Sequence, residues 1–245
     1  MITPLTQLLN KTETKFLMKN KNSSLTLLLL SIAFLINSAL ADSGITVDSD
    51  ERVHGFLQST YVNMWWQWAV SMPKEDSPVK DTVGTKCGVN QAGPVWFLAG
   101  GYGTSRIRRK CSVPADKYIF FPVINMLNFP RDERSIPTCE SVKRGASINN
   151  QYLVSFKVIV DDQKFLNPVF YRQTSEKCFD LAARKPNTGE YPRAYPSATD
   201  GYWIMLRPLS AGNHNISFYA EYNNPGSPYG RSVQDIGYEL NVYEP

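Results

Sequence analysis

Residues 151–160 read QYLVSFKVIV, and Tyr152, Val154, Phe156, Val158 and Val160 fall on every second position. That period is the signature of a half-buried β-strand. Residues 214–222 (HNISFYAEY) repeat it, with Ile216, Phe218 and Ala220 on one side and Asn215, Ser217 and Tyr219 on the other. Further strand-like runs occur at 94–99 (PVWFLA), 106–113, 117–124 (KYIFFPVI), 169–179, 202–207 (YWIMLR) and 236–243 (IGYELNVY). Pro122 marks a sheet edge or a bulge within its run. The last two strands are expected to be neighbours, joined by the loop from Asn223 to Ser232. Short strands separated by turn-rich segments point to a mainly β fold, a single β-sandwich of jelly-roll or immunoglobulin-like type with long irregular loops. The loops expected are 74–91, 128–148 and 181–200.

One helix is expected, over Asp50–Met72. Val53, Phe56, Leu57, Thr60, Met64, Trp65, Trp68 and Met72 recur at three- and four-residue steps. Ser49 or Asp50 is the expected cap, and Pro73 the stop. Trp66 falls at the margin of that stripe. It reads either as packing or as an aromatic platform for a sugar.

The first 41 residues read as a removable leader. Lys19 and Lys21 precede an uncharged run, LTLLLLSIAFLI at 25–36, and Ala39-Leu40-Ala41 follows as a signal-peptidase site. A run of twelve is too short to span a bilayer, which takes roughly 20 apolar residues. The mature chain is therefore expected at 42–245 as one domain with no transmembrane anchor, the start lying at Met1 or Met18. The leader holds four lysines and one glutamate, so the formal charge of +4 falls to about +1 in the mature part. That balance speaks against a nucleic-acid partner, which needs a clustered basic surface. The one local run is Arg106, Arg108, Arg109 and Lys110; on a strand Arg106, Arg108 and Lys110 share a face, read as solvated.

Cys87, Cys111, Cys139 and Cys178 all lie in the mature part, an even number in an exported chain, and read as two disulfides. Three connectivities exist, of which nearest-neighbour pairing (Cys87–Cys111, Cys139–Cys178) is the simplest. Spacings of 24, 28 and 39 residues without C-x-x-C do not suit a zinc site.

The chain resembles a group of exported bacterial proteins without an assigned function. The resemblance rests on Trp65-Trp66-Gln67-Trp68, Cys87 with Gln91, and Gly93-Pro94-Val95-Trp96-Phe97-Leu98-Ala99-Gly100. It continues through Arg109 and Cys111, Val113-Pro114-Ala115, Phe120-Phe121-Pro122 with Asn125, Gly201-Tyr202-Trp203, Pro208-Leu209, Gly212 with His214, and Tyr238–Val242. It implies a periplasmic or secreted bacterial protein, and it supplies no catalytic residue. In such a setting the Asn215-Ile216-Ser217 sequon carries no meaning.

Catalytic signatures are sparse. There are two histidines. His54 reads as exposed, and His214, after a turn, is the candidate general base. No G-x-S-x-G elbow occurs, and Gly100-Gly101-Tyr102-Gly103 lacks the Lys and the helix of a phosphate loop. Asp161 and Asp162, or Asp132 and Glu133, could offer oxygens to Ca²⁺, but turn formation explains them as well; no cofactor or metal is assigned. The site candidates are His214, Arg109, Asp161 and Trp66. Tyr191, Tyr195, Tyr222 and Tyr229 stand in Pro-, Asn- and Gly-rich loops suited to carbohydrate or protein contacts. The sequence thus points first to a non-enzymatic ligand- or partner-binding domain. The alternatives are a secreted hydrolase with a His214- or carboxylate-based site, and an envelope structural component.

Overall fold

Two kinds of apolar pattern in the sequence belong to two different sheets. A computed structural model describes residues 44–102, 106–130, 136–184, 194–227 and 230–245. The leader at 1–41, the alternative starts, Asp132, Glu133, Tyr191 and Tyr229 lie outside the described residues. The strands are β1 (Val95–Phe97), β2 (Arg106–Pro114), β3 (Tyr118–Asn128), β4 (Leu153–Val160), β5 (Gln163–Phe165), β6 (Arg172–Thr174), β7 (Ala198–Leu206), β8 (Gly212–Asn223) and β9 (Arg231–Tyr243), with helices α1 (Gln58–Val70) and α2 (Cys139–Ser147). The first sheet has the order β1-β3-β7-β6 and the second β2-β9-β8-β4-β5. They pack face to face as a β-sandwich. Each carries a parallel pair at one edge, β1 with β3 and β2 with β9, and β8 and β9 form the anticipated hairpin.

The second sheet has one wet face, so β8 alternates: Ile216, Phe218, Ala220 and Tyr222 are buried while Asn215 and Ser217 are exposed. The first sheet is covered on both faces, and β7 is buried along its whole length. Ile204 and Leu206 meet the other sheet, whereas Trp203 and Met205 meet α1. Burial on both faces explains why YIFFPVI and YWIML are continuous apolar runs. The α1 layer is aromatic. Tyr61, Trp65 and Trp68 pack over Phe97, Phe120 and Trp203, and Phe120 stacks on Trp203 at 5.4 Å between centroids.

The structure corrects several sequence expectations. The helix starts at Gln58, with Leu57 at its cap position and no side-chain cap. Upstream, Val53 and Phe56 exchange backbone hydrogen bonds around His54 (φ +46°) and Gly55 (φ +86°). Two left-handed residues in succession make a tight hairpin turn, and that turn breaks the apparent helical period. Ser49 and Asp50 cap nothing in α1; instead the Gln58 amide donates to the carbonyls of Val47 and Asp48. In β4 a bulge between Leu153 and Ser155 displaces Val154 outward, where it is 60% exposed, and Leu153 takes the inward place. Tyr152 belongs to a 3₁₀ turn. The stretch 128–148, expected to be irregular, contains α2. Thr138 accepts a hydrogen bond from the Ser141 N–H, which caps α2, and Val142 and Ala146, one turn apart, pack on Ala198. Residues 168–171 form a 3₁₀ turn rather than strand, and β7 begins at Ala198 inside an expected loop. Pro122 does mark a bulge, in β3.

The disulfides are Cys87–Cys111 and Cys139–Cys178, each with Cα atoms 5.8 Å apart. On β2, Arg106 and Arg108 face Asp235, and Lys110 faces Glu239 on β9. The basic run is thus matched by acids on its neighbour and leaves no free cationic stripe. Cys139→Ser/Cys178→Ser is expected to lower unfolding stability by about 3 kcal/mol, because closing a loop of this size removes unfolded-state entropy. Urea denaturation of the double variant against the oxidised parent measures it.

Candidate functional site

At one end of the sandwich the two sheets part, leaving a cleft of about 150 Å³ roofed by α1. Consecutive residues of α1 supply Trp65 and Trp66. The segment after β1 supplies Gly100, Gly101 and Tyr102, the bulged part of β3 supplies Pro122, Ile124 and Asn125, and the start of β9 supplies Ser232 and Gln234. The indoles are held at both ends. Trp65 Nε1 donates to the Leu98 carbonyl at 2.9 Å. Trp66 Nε1 donates to Thr199 Oγ1 at 2.9 Å, and that hydroxyl donates to the Met126 carbonyl at 2.7 Å. The two rings stand perpendicular, 5.1 Å apart. The Gln234 amide clasps Gly101, accepting from its N–H at 2.8 Å and donating to its carbonyl at 2.9 Å. A Cβ at position 101 would stand 2.6 Å from Ile107 Cδ1, so a larger residue here would push that side-chain end aside.

The polar groups of the cleft are neutral. None of its lining residues carries a carboxylate, amine, guanidinium, imidazole or thiol. Asn125 Oδ1 is buried without a partner, and the Asn125 side chain makes no hydrogen bond among the described residues. Gly201 lies opposite in the register. A Cβ there would fall 2.5 Å from Asn125 Cβ, so the glycine leaves room for this amide.

Arg109 stands behind the cleft wall. It lies on the inward face of β2, opposite Arg106, Arg108 and Lys110 as strand alternation expects, and is 2% exposed. All five of its N–H groups are used. Nε donates to the Asp81 carbonyl, Nη1 to the Ala99 carbonyl and to Tyr238 Oη, and Nη2 to the carbonyls of Val79 and Gly100. The Tyr238 hydroxyl in turn donates to Ala99, and its ring lies 5.4 Å from the guanidinium carbon. Asp81 organises the loop beneath. Burial alone would raise its carboxyl, but the N–H groups of Lys86, Val83 and Gly84 and the nearby Arg109 charge outweigh that and hold it below its ordinary value. Arg109 therefore braces the segment behind the cleft wall, with every donor bonded to protein oxygens.

His214 and Asp161 come together elsewhere. His214 pairs with Leu240, six residues along β9 from Gln234, or about 20 Å at roughly 3.3 Å per residue. His214 Nδ1 lies 2.8 Å from Asp161 Oδ2 and Nε2 lies 2.9 Å from the Ser210 carbonyl. Asp161, left-handed at φ +52°, also accepts from the Asn215 N–H through Oδ1. Two acceptors on one imidazole require both nitrogens to carry protons. Burial alone would lower the ring's pKa, but the Asp161 carboxylate and the Ser210 carbonyl outweigh it and raise it above 6.5. His214 itself lines a more open groove of about 440 Å³ with Lys110, Ser112 and Glu239, but both of its ring nitrogens are bonded to Asp161 and Ser210, and neither meets a hydroxyl. The pair reads as a clamp between the β4–β5 turn and the entry to β8.

Of the four sequence candidates, then, Trp66 lines the cleft, Arg109 supports it, and His214 and Asp161 pair at the other end. Among the described residues no three His, Cys, Asp or Glu side chains gather as a metal site. Tyr195 is 60% exposed, but Tyr222, expected in a loop, is a core residue of β8 whose hydroxyl donates to Asn150. Sequence reading missed Asn125, Ser232 and Gln234 as cleft residues. Ser232 and Gln234 alternate with buried residues on β9 and Asn125 follows the bulge of β3, so no local pattern marks them as lining a cavity.

Two outcomes are expected. Arg109→Lys lowers stability by about 3 kcal/mol in urea unfolding, because an ammonium offers three donors where five carbonyl and hydroxyl oxygens wait. His214→Gln is less stable than the parent below pH 6.5. A raised folded pKa stabilises while the ring is protonated, so the deficit shrinks as the pH climbs through the folded value; thermal melts of both proteins across pH 5.5 to 9 read it. Compared with known proteins, the chain matches no family model, no curated protein and no solved structure, which leaves the cleft's own chemistry as the ground for its function.

Proposed function

We propose that this chain is an exported, non-enzymatic binding domain whose ligand enters the aromatic cleft at the end of the sandwich. One observation carries the reading: a preformed cavity walled by two anchored indoles, with neutral polar groups and no carboxylate, amine, imidazole or thiol in its lining. General acid–base or nucleophilic chemistry needs groups that move protons or attack, whereas a rigid aromatic surface with a few aimed polar groups is what binding needs. A hydrolase centred on His214 draws less support, since both ring nitrogens are committed to Asp161 and Ser210.

Export is supported by two lines. The charge–apolar–small layout of the first 41 residues is that of a cleaved leader. All four cysteines of the chain are paired, and disulfides persist in oxidising compartments. Among the described residues no helix is long and apolar enough to cross a membrane. A periplasmic or secreted protein that begins at Asp42 accounts for these features together.

Expression of the full chain in a bacterial host, followed by fractionation and intact-mass analysis, is expected to yield a periplasmic or secreted species starting at Asp42 with two disulfides. A glycan array is expected to give hits that Trp66→Ala abolishes. Equal hits from the parent and the variant, or none from either, would count against the cleft as the binding site.

A further inference from the structure

We infer that the cleft takes an uncharged, hydroxyl-bearing six-membered ring, that is, a neutral sugar unit, and that Asn125 is the residue that reads it. This inference rests on the binding reading above and names its ligand class.

Size sets the first limit. A cavity of about 150 Å³ is the size that takes a benzene ring in a protein interior, so it admits one sugar ring whose outer hydroxyls stay toward solvent. Charge sets the second. The lining offers no ionised partner, and an unpaired ion moved out of water into such a wall is strongly disfavoured. Polarity sets the third. Trp66 Nε1 and the Gln234 amide are already spent on Thr199 and Gly101. The Asn125 amide and the Ser232 hydroxyl make no hydrogen bonds among the described residues. A purely apolar ring would leave the buried Asn125 Oδ1 without a partner, a costly state for a polar atom cut off from water.

A neutral sugar meets all three conditions. Its C–H face packs on an indole whose π face is electron-rich, and its equatorial hydroxyls both donate and accept. Rotating the Asn125 amide presents either its N–H₂ or its carbonyl to the ligand, so the residue can answer a hydroxyl in either role. The site is also preorganised, since Trp65, Trp66 and Gly101 are each held by hydrogen bonds before any ligand arrives. Little ordering cost is left to binding.

The test is heteronuclear NMR on the mature, disulfide-intact protein, following the Trp66 indole N–H. The probes are glucose, galactose, mannose and N-acetylglucosamine as neutral rings, glucuronate and glucosamine as charged ones, and toluene as an apolar ring of similar size. At least one neutral sugar is expected to shift the Trp66 signal with roughly millimolar affinity, as suits a ligand of so few atoms. The charged rings are expected to bind about tenfold more weakly or less. Asn125→Leu is expected to weaken the sugar about tenfold and to strengthen toluene, one polar contact being exchanged for an apolar one. Should Asn125→Leu fail to fold, Ser232→Ala gives the second reading, with a smaller loss for the sugar and no loss for toluene. Toluene or a charged ring binding better than every neutral sugar overturns the ligand class and leaves the binding cleft standing. Sugar binding unmoved by these variants overturns the role given to Asn125. Silence of the Trp66 signal with every probe overturns both this inference and the function proposed above.

Discussion

A single guanidinium ties together parts of the chain that share little else. Arg109 points from β2 into the space between the sheets, where a full positive charge is unfavourable unless every donor is met. It is met by four main-chain carbonyls and the Tyr238 hydroxyl. Those oxygens come from the loop after α1, from the end of β1 and from β9, so satisfying the charge fixes three segments relative to one another. The Cys87–Cys111 bridge joins the same loop to the same strand two residues further on. Asp81 stiffens that loop from within by collecting the N–H groups of Val83, Gly84 and Lys86. Polar contacts and a disulfide thus fix the segments behind this end of the sandwich.

Around that anchor the fold is built in three layers. The first sheet is the middle layer, and its two central strands pack against α1 on one side and the second sheet on the other. Tryptophan does much of the filling on the helix side, where Trp65, Trp68 and Trp203 make a continuous ring cluster with Phe97 and Phe120. The second sheet is the outer layer. Its exposed face carries matched charges on β2 and β9 and suits solvent more than a partner of one sign.

The two ends of the β8–β9 hairpin have opposite chemistry. At one end, Ser232 and Gln234 look into an uncharged aromatic cleft. At the other, His214 is clamped by Asp161 and the Ser210 carbonyl, which fixes the entry to β8 and the turn before β5. Charge is thus absent from the cleft end, and the titrating pair sits at the opposite end.

Local pattern in the sequence settled much of the architecture. The alternation of β8, the apolar runs of β3 and β7, the bulge at Pro122, the hairpin of the last two strands and the tryptophan helix all follow from periodicity and from the donor that proline lacks. Four cysteines in a chain with a leader-like start implied two bridges, and nearest pairing was the simplest choice. Long-range contact decided the rest. Strand alternation already sets Arg109 on the face opposite Arg106, Arg108 and Lys110, but nothing local reveals what its charge meets there, because its partners are carbonyls up to thirty residues away in the chain and a tyrosine farther still. The His54-Gly55 turn and the Thr138 cap were visible as residue types, yet their meaning depended on which backbone groups they met. Asn125, Ser232 and Gln234 are unremarkable on their own strands. A cleft is made by where two sheets part, and that separation is set by packing between residues more than a hundred positions apart, which a reading of neighbours along the chain does not contain.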